Sequence, residues 1–223
     1  MKRYLSIGNF KKAALLGAVM TLFSAPRILT SGIMPFQFVI SAFAGLTLVA
    51  AMATAWGKCA GMSGLFPTRS VVLQGLKIAA ILLILLLPIK VLWFNPLLHA
   101  AVEQTGNEAA LRLLFPDSLA QGVSLMLWVM SFEVLFFKAA AMSFFARLTK
   151  SLSAALILSV MLRVFVTWLK ISEIGVEDGL ILILSHAAII NALSCLMFAR
   201  YGLSAPMLFA AGLTIYRWDF LWG

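Results

Sequence analysis

The sequence predicts an all-α, polytopic transmembrane helix bundle of about seven spans, with its N-terminus inside and its C-terminus outside. Three observations carry that prediction. Hydrophobic residues fill 63% of the 223 positions and charged residues only 11%, a balance foreign to soluble domains. The apolar residues come in runs of about 20, the length that crosses hydrocarbon as a helix. Acids and bases also separate between alternate connections. Seven helices of that length consume about 140 residues, so 1–223 reads as a single transmembrane domain with little room for a soluble one.

The formal net charge of +9, from 17 Lys plus Arg against 8 Asp plus Glu, does not point to nucleic acid. The bases form small clusters flanking apolar runs, where they orient a chain in an anionic bilayer. Membrane lipids are therefore the first expected partner, and the expected location is a bacterial cytoplasmic (inner) membrane. Cys59 and Cys195 cannot build a disulfide framework and have no metal-ligand spacing around them, so neither a metal nor a cofactor is expected.

The spans follow in order. Lys2, Arg3, Lys11 and Lys12 precede AALLGAVMTLFSA, which imitates a signal peptide, but Pro26, Arg27 and a further span follow, so a retained short first helix is expected. The second span, 33–56, has no formal charge over 24 residues, and a helix there satisfies its own backbone. The third, 71–94, holds ILLILLLPIKVLWF, with Lys77 and Lys90 placed to snorkel and Pro88 expected to bend the last turns or mark the interface. Residues 119–145, 152–169 and 179–199 make the next three, and 203–216 a short seventh containing Pro206.

Charge placement tests these crossings. One side holds Lys2, Arg3, Lys11, Lys12, Lys58, Arg69, Arg147, Lys150 and Arg200, nine bases and no acid. The other holds Glu103, Glu108, Asp117, Glu173, Glu177, Asp178 and Asp219, seven of the eight acids, with Arg27, Arg112, Lys170 and Arg217. The basic side is the cytoplasmic one. The longest external connection, 95–118, mixes His99 and three acids with the apolar LRLLF. That pattern predicts a short interfacial helix, with a substrate or partner surface as the alternative. Trp93, Trp168, Trp218 and Trp222 fall near span ends and read as interfacial anchors, whereas Trp128 lies inside the fourth span.

Glu133 is the one acid placed inside hydrocarbon, so it must be protonated, solvated or paired. Lys138 lies five positions on, about 140° around an ideal α-helix, which makes a direct pair poor. Arg163, on the next antiparallel span, is the better partner, and a structural Glu133–Arg163 bridge is expected over a proton, ion or substrate path. His186, without a cysteine or carboxylate at ligand spacing, reads as a helix-contact histidine. Asn191, Ser185 and Ser194 are candidates for bonds between helices. The expected polar core is Lys77, Glu133, Lys138, Arg163, His186 and Asn191. Glu133 and His186 are the catalytic candidates, and they need to converge with an arginine in a wet cavity to activate water. No GxSxG pattern is present.

Three phrases, FEVLFFKAAAMSFFARL, LSAALILSVMLRVFVTW and INALSCLMFARYGLSAPMLFAAGLTI, resemble the CAAX protease and bacteriocin-processing family of intramembrane proteins, over about residues 130–216. Active members carry paired glutamates with a downstream arginine, a histidine on the next core helix, and a last histidine followed four residues later by asparagine or aspartate. Glu133 matches the second glutamate. Phe132 stands at the first and Phe137 at the arginine, with Lys138 adjacent. Thr167 replaces the first histidine, Ala210 and Thr214 replace the last pair, and His186 matches no motif histidine. The resemblance thus implies a protease-like membrane fold stripped of the groups that activate water. The expected function is a noncatalytic accessory or scaffold subunit that partners another integral membrane protein. The alternatives are an intramembrane CAAX-type peptidase, or a transporter subunit with a polar route through the bundle.

Overall fold

The computed structural model describes residues 7–30, 35–65, 67–218 and 221. Among these residues there is no strand, and eight helices of six residues or more follow one another: α1 (Ile7–Thr30), α2 (Pro35–Cys59), α3 (Arg69–Glu103), α4 (Glu108–Leu114), α5 (Leu119–Thr149), α6 (Leu152–Ile174), α7 (Leu180–Tyr201) and α8 (Ser204–Ile215). Five stretches are long and apolar enough to cross a membrane: Val39–Gly57 within α2, then α3, α5, α6 and α7. Large apolar side chains such as Ile84, Leu85, Leu92, Ile157 and Ile181 point outward from them, as lipid contact requires. The protein is an integral membrane helix bundle by these criteria.

Two helices depart from regular α geometry. Pro88 does not end α3; the chain widens into a π-turn over Lys90–Phe94 and continues helical to Glu103, 35 residues in all. A proline lacks the amide that would close its α turn, and a wider turn absorbs the mismatch. At about 1.5 Å per residue this helix is about 50 Å long, well beyond a hydrocarbon core of about 30 Å. The second departure is a 12-residue π-segment, Val129–Ala140, in the middle of α5. It carries Glu133 and Lys138.

The connection 95–118 therefore differs from expectation. Its first part extends α3, and α4 folds back so that Leu111, Leu114 and the buried Phe115 pack with Phe94, Leu98 and Val102. Ile171 and Ile174 of α6, Val176, and Leu180 and Ile183 of α7 complete this cluster. The apolar face of α4 is spent on the protein and caps one end of the bundle. The helix α8 is also not a lipid-facing span: Ala205, Pro206, Phe209, Ala210, Ala211, Leu213 and Thr214 are buried. Its 12 residues extend only about 18 Å. Its neighbours are α3, the π-segment of α5, and α7. Trp218, expected as an anchor, is buried over Gly122 at the start of α5, while Trp93 and Trp168 are exposed. Trp222 lies outside the described residues.

Close crossings depend on small residues, because lipid gives packing rather than hydrophobic exclusion as the force between helices. The tightest is between α1 and α2. A Cβ on Gly17 would lie 2.2 Å from Thr47 Oγ1 and 2.9 Å from the Thr47 backbone nitrogen and Cα. Since backbone cannot rotate aside, Gly17→Ala is expected to force the helices apart and to cost about 1–3 kcal/mol. Thermal unfolding in detergent should show a lowered midpoint that Thr47→Ala relieves only in part; an unchanged midpoint would contradict the close crossing.

Candidate functional site

The polar residues of the interior fall into two connected groups. In the first, Arg163 of α6 donates from Nη2 to Glu133 Oε2 at 2.8 Å, with the arginine side chain 20% and the glutamate 15% exposed. The guanidinium also lies 5.0 Å from the Phe137 ring centroid, a cation–π contact that gives it a second favourable neighbour. Its Nη1 is buried with no hydrogen-bond partner. The antiparallel turn between α5 and α6 brings the two charges to one depth.

Lys138 takes a different partner. A π-turn holds about one more residue than an α-turn, so positions five apart come closer to the same face, and the angular argument against Glu133–Lys138 contact loses its premise. The amine nevertheless donates to Asn191 Oδ1 of α7 at 2.5 Å, and Asn191 Nδ2 donates to the Ser159 carbonyl of α6 at 3.1 Å. One amide thus ties three helices together. Ser194 bonds the Ile190 carbonyl of its own helix, and Ser185 is exposed, so neither bridges helices. Lys77 is exposed as well, and it does not belong to the polar core. Its position two turns into α3 lets the stem follow the helix toward the interface.

The second group lies beneath the α3–α4 cap. Lys90 is only 1% exposed, and its Nζ sits 4.2 Å from the Phe94 centroid. His186 of α7 stacks on the same ring, with centroids 3.7 Å apart and planes at 20°, and its Nε2 is buried without a partner. The contact is the expected helix–helix one, but it leaves that nitrogen unsatisfied. Asn95, one residue beyond Phe94, donates to the Tyr216 carbonyl while its Oδ1 stays buried and unpaired. Tyr216 donates in turn to the Leu83 carbonyl at 3.0 Å. Arg217 follows directly, within electrostatic reach of Lys90 and His186.

The sequence predicts that Lys90 snorkels, and the structure buries it instead. That expectation rests on α3 stopping at Phe94. A helix that continues to Glu103 and is roofed by α4 places Lys90 inside, and Pro88, at the start of PIKVLWF, is the visible sign of an irregular helix that need not stop there.

Charge in this interior is lopsided. Glu133 is within electrostatic reach of Arg163, Lys138, Lys170 and Arg217, and also of Arg27. The charges that His186 feels are Lys90 and Arg217, so the two catalytic candidates are not brought into one acid–base pair. Around the first group, Phe132 stacks between Trp128 and Phe136. Phe137 lies under the guanidinium of Arg163, Ala210 is buried, and Thr214 bonds the Ala210 carbonyl. Chemically, the first group can neutralise a carboxylate and fix helix register, while the second presents cations and N–H donors without acceptors. Comparison with known protein families, characterised proteins and solved structures finds no match to this chain.

Proposed function

We propose that the protein is a noncatalytic accessory or scaffold subunit that associates with another integral membrane protein. The single observation that carries this reading is the engagement of Glu133 by Arg163. A general base needs a lone pair directed at water and a route for its proton, whereas this carboxylate gives its Oε2 to a guanidinium and makes no bond with His186, whose Nε2 has no partner. The reading includes descent from a protease-like membrane fold of the CAAX protease and bacteriocin-processing type. The substitutions Phe132, Phe137, Thr167, Ala210 and Thr214 support loss of chemistry within such a fold.

The topology we propose with it is seven passes, N-in and C-out, in a bacterial inner membrane. Beside the charge partition, the Asn95–Tyr216 bond supports it, because it sets the end of α8 against the end of α3 opposite Arg69. A chain passing out along α3 and again along α8 finishes on the outer side.

The test is gentle-detergent purification of the full chain followed by cross-linking and an assay against membrane-embedded peptides. The expected result is a defined cross-link to one integral membrane protein and no cleavage. Cleavage that coelutes with the purified chain would overturn the proposal.

A further inference from the structure

The buried cation under the cap, Lys90, is the feature that the accessory reading leaves unused. Lys90 is 1% exposed, and among the described residues it has no carboxylate or hydrogen-bond acceptor. Its one close favourable contact is the Phe94 ring at 4.2 Å. His186, stacked on that same ring, adds a buried and unpartnered Nε2. Arg217 follows Tyr216, whose carbonyl is tied to Asn95 next to Phe94. Lys90 of α3 and His186 of α7 thus flank one aromatic ring, and Arg217, in the segment after α8, is within electrostatic reach of both. Glu133, the one interior carboxylate among the described residues, is held by Arg163 and is within electrostatic reach of Arg217.

Burying a cation without a counter-charge costs far more than one ring contact returns. Such a group either gives up its proton or is completed by an anion, and here an anion would meet several donors at once. We propose that Lys90, Arg217 and His186 form a binding site for a phosphate group, seated beneath the α3–α4 cap at the outer end of the bundle. Lys90 supplies a point charge and Arg217 a planar fork suited to two phosphate oxygens. His186 donates from Nε2 when the proton is on that nitrogen. The unpaired Asn95 Oδ1 is an acceptor for the remaining P–OH of a monoprotonated phosphate. The phosphate belongs either to a phospholipid headgroup or to a free solute, since the chemistry of recognition is the same. The site does not depend on whether the chain is accessory or catalytic.

The experiment uses the full chain in lauryl maltoside. Binding of inorganic phosphate is measured by calorimetry, and binding of phosphatidylglycerol by native mass spectrometry, with the two in competition. The expected result is one phosphate group bound per chain from at least one source. Lys90→Met and Arg217→Gln should each weaken it about tenfold or more. Lys77→Met, which removes an exposed lysine outside the site, should leave it unchanged. Phosphatidylglycerol binding that free phosphate fails to displace assigns the site to lipid; saturable phosphate binding without lipid assigns it to a solute. Lys90→Met replaces a buried amine by an apolar chain of similar length and should fold at least as well as the parent. Absence of binding from both sources would overturn the proposal, as would equal binding by wild type, Lys90→Met and Lys77→Met.

Discussion

Glu133→Gln is expected to destabilise the bundle more than Arg163→Met, although both break the same 2.8 Å ion pair. The asymmetry follows from the company the pair keeps. Without Arg163, the carboxylate still faces the charges of Lys138, Lys170 and Arg217, and of Arg27. Without Glu133, those cations and Arg163 oppose one another with no anion among them. Breaking a buried pair by removing one partner costs about 3–5 kcal/mol, and Glu133→Gln belongs at or above the top of that range. For Arg163→Met about 2–3 kcal/mol is expected, because the surviving charge keeps neighbours of opposite sign. The double substitution removes both a cation and the anion, so it should lie between the two singles. Unfolding by graded SDS addition, followed by helical circular dichroism, gives the three values on one scale. Equal costs for the two singles would mean that Glu133 serves Arg163 alone and not the whole cationic interior.

The same residues mark how much could be read before any coordinates. The helical class was legible because an uncharged, mostly apolar run of 24 residues at 33–56 has one way to satisfy its backbone in hydrocarbon. The proximity of Glu133 and Arg163 was legible because an isolated charge at that depth forces a search for a partner, and adjacent antiparallel helices limit the candidates. The Lys138–Asn191 bond was harder, since it depends on a π-segment, and hydropathy has no period that reports one extra residue per turn. The cap was illegible for another reason. Leu111 and Leu114 make an amphipathic pattern that is the same whether the apolar face meets lipid or protein, and the ends of α6 and α7 that cover it come 57 residues or more later in the chain. Lys90 shares the difference, because its depth depends on where α3 ends.

Asn191 is where a single amide should carry the next largest effect. It is 1% exposed, accepts from Lys138 at 2.5 Å and donates to the Ser159 carbonyl at 3.1 Å, so it joins α5, α6 and α7 without bearing charge. Asn191→Leu keeps the branching at Cγ but removes both functions. It leaves a buried ammonium without its acceptor, and Ser159's carbonyl without that donor. The expected cost is about 3 kcal/mol or more. Lys138→Met should cost less, about 1–2 kcal/mol, because the orphan it leaves is a neutral amide oxygen. In the double variant Lys138→Met/Asn191→Leu the site becomes apolar throughout. Replacing a buried polar pair by well-packed side chains is often close to neutral, so the double should be more stable than Asn191→Leu alone. That recovery distinguishes a charge left without a partner from simple overpacking, since methionine is close to lysine in volume and would leave any overpacking by the introduced leucine in place. The cycle can be run by the same SDS titration, with interhelical distances between α6 and α7 followed by spin labels. If the double proved less stable than either single, the amide would be acting through its volume, and the polar tie between the three helices would not be what holds their register.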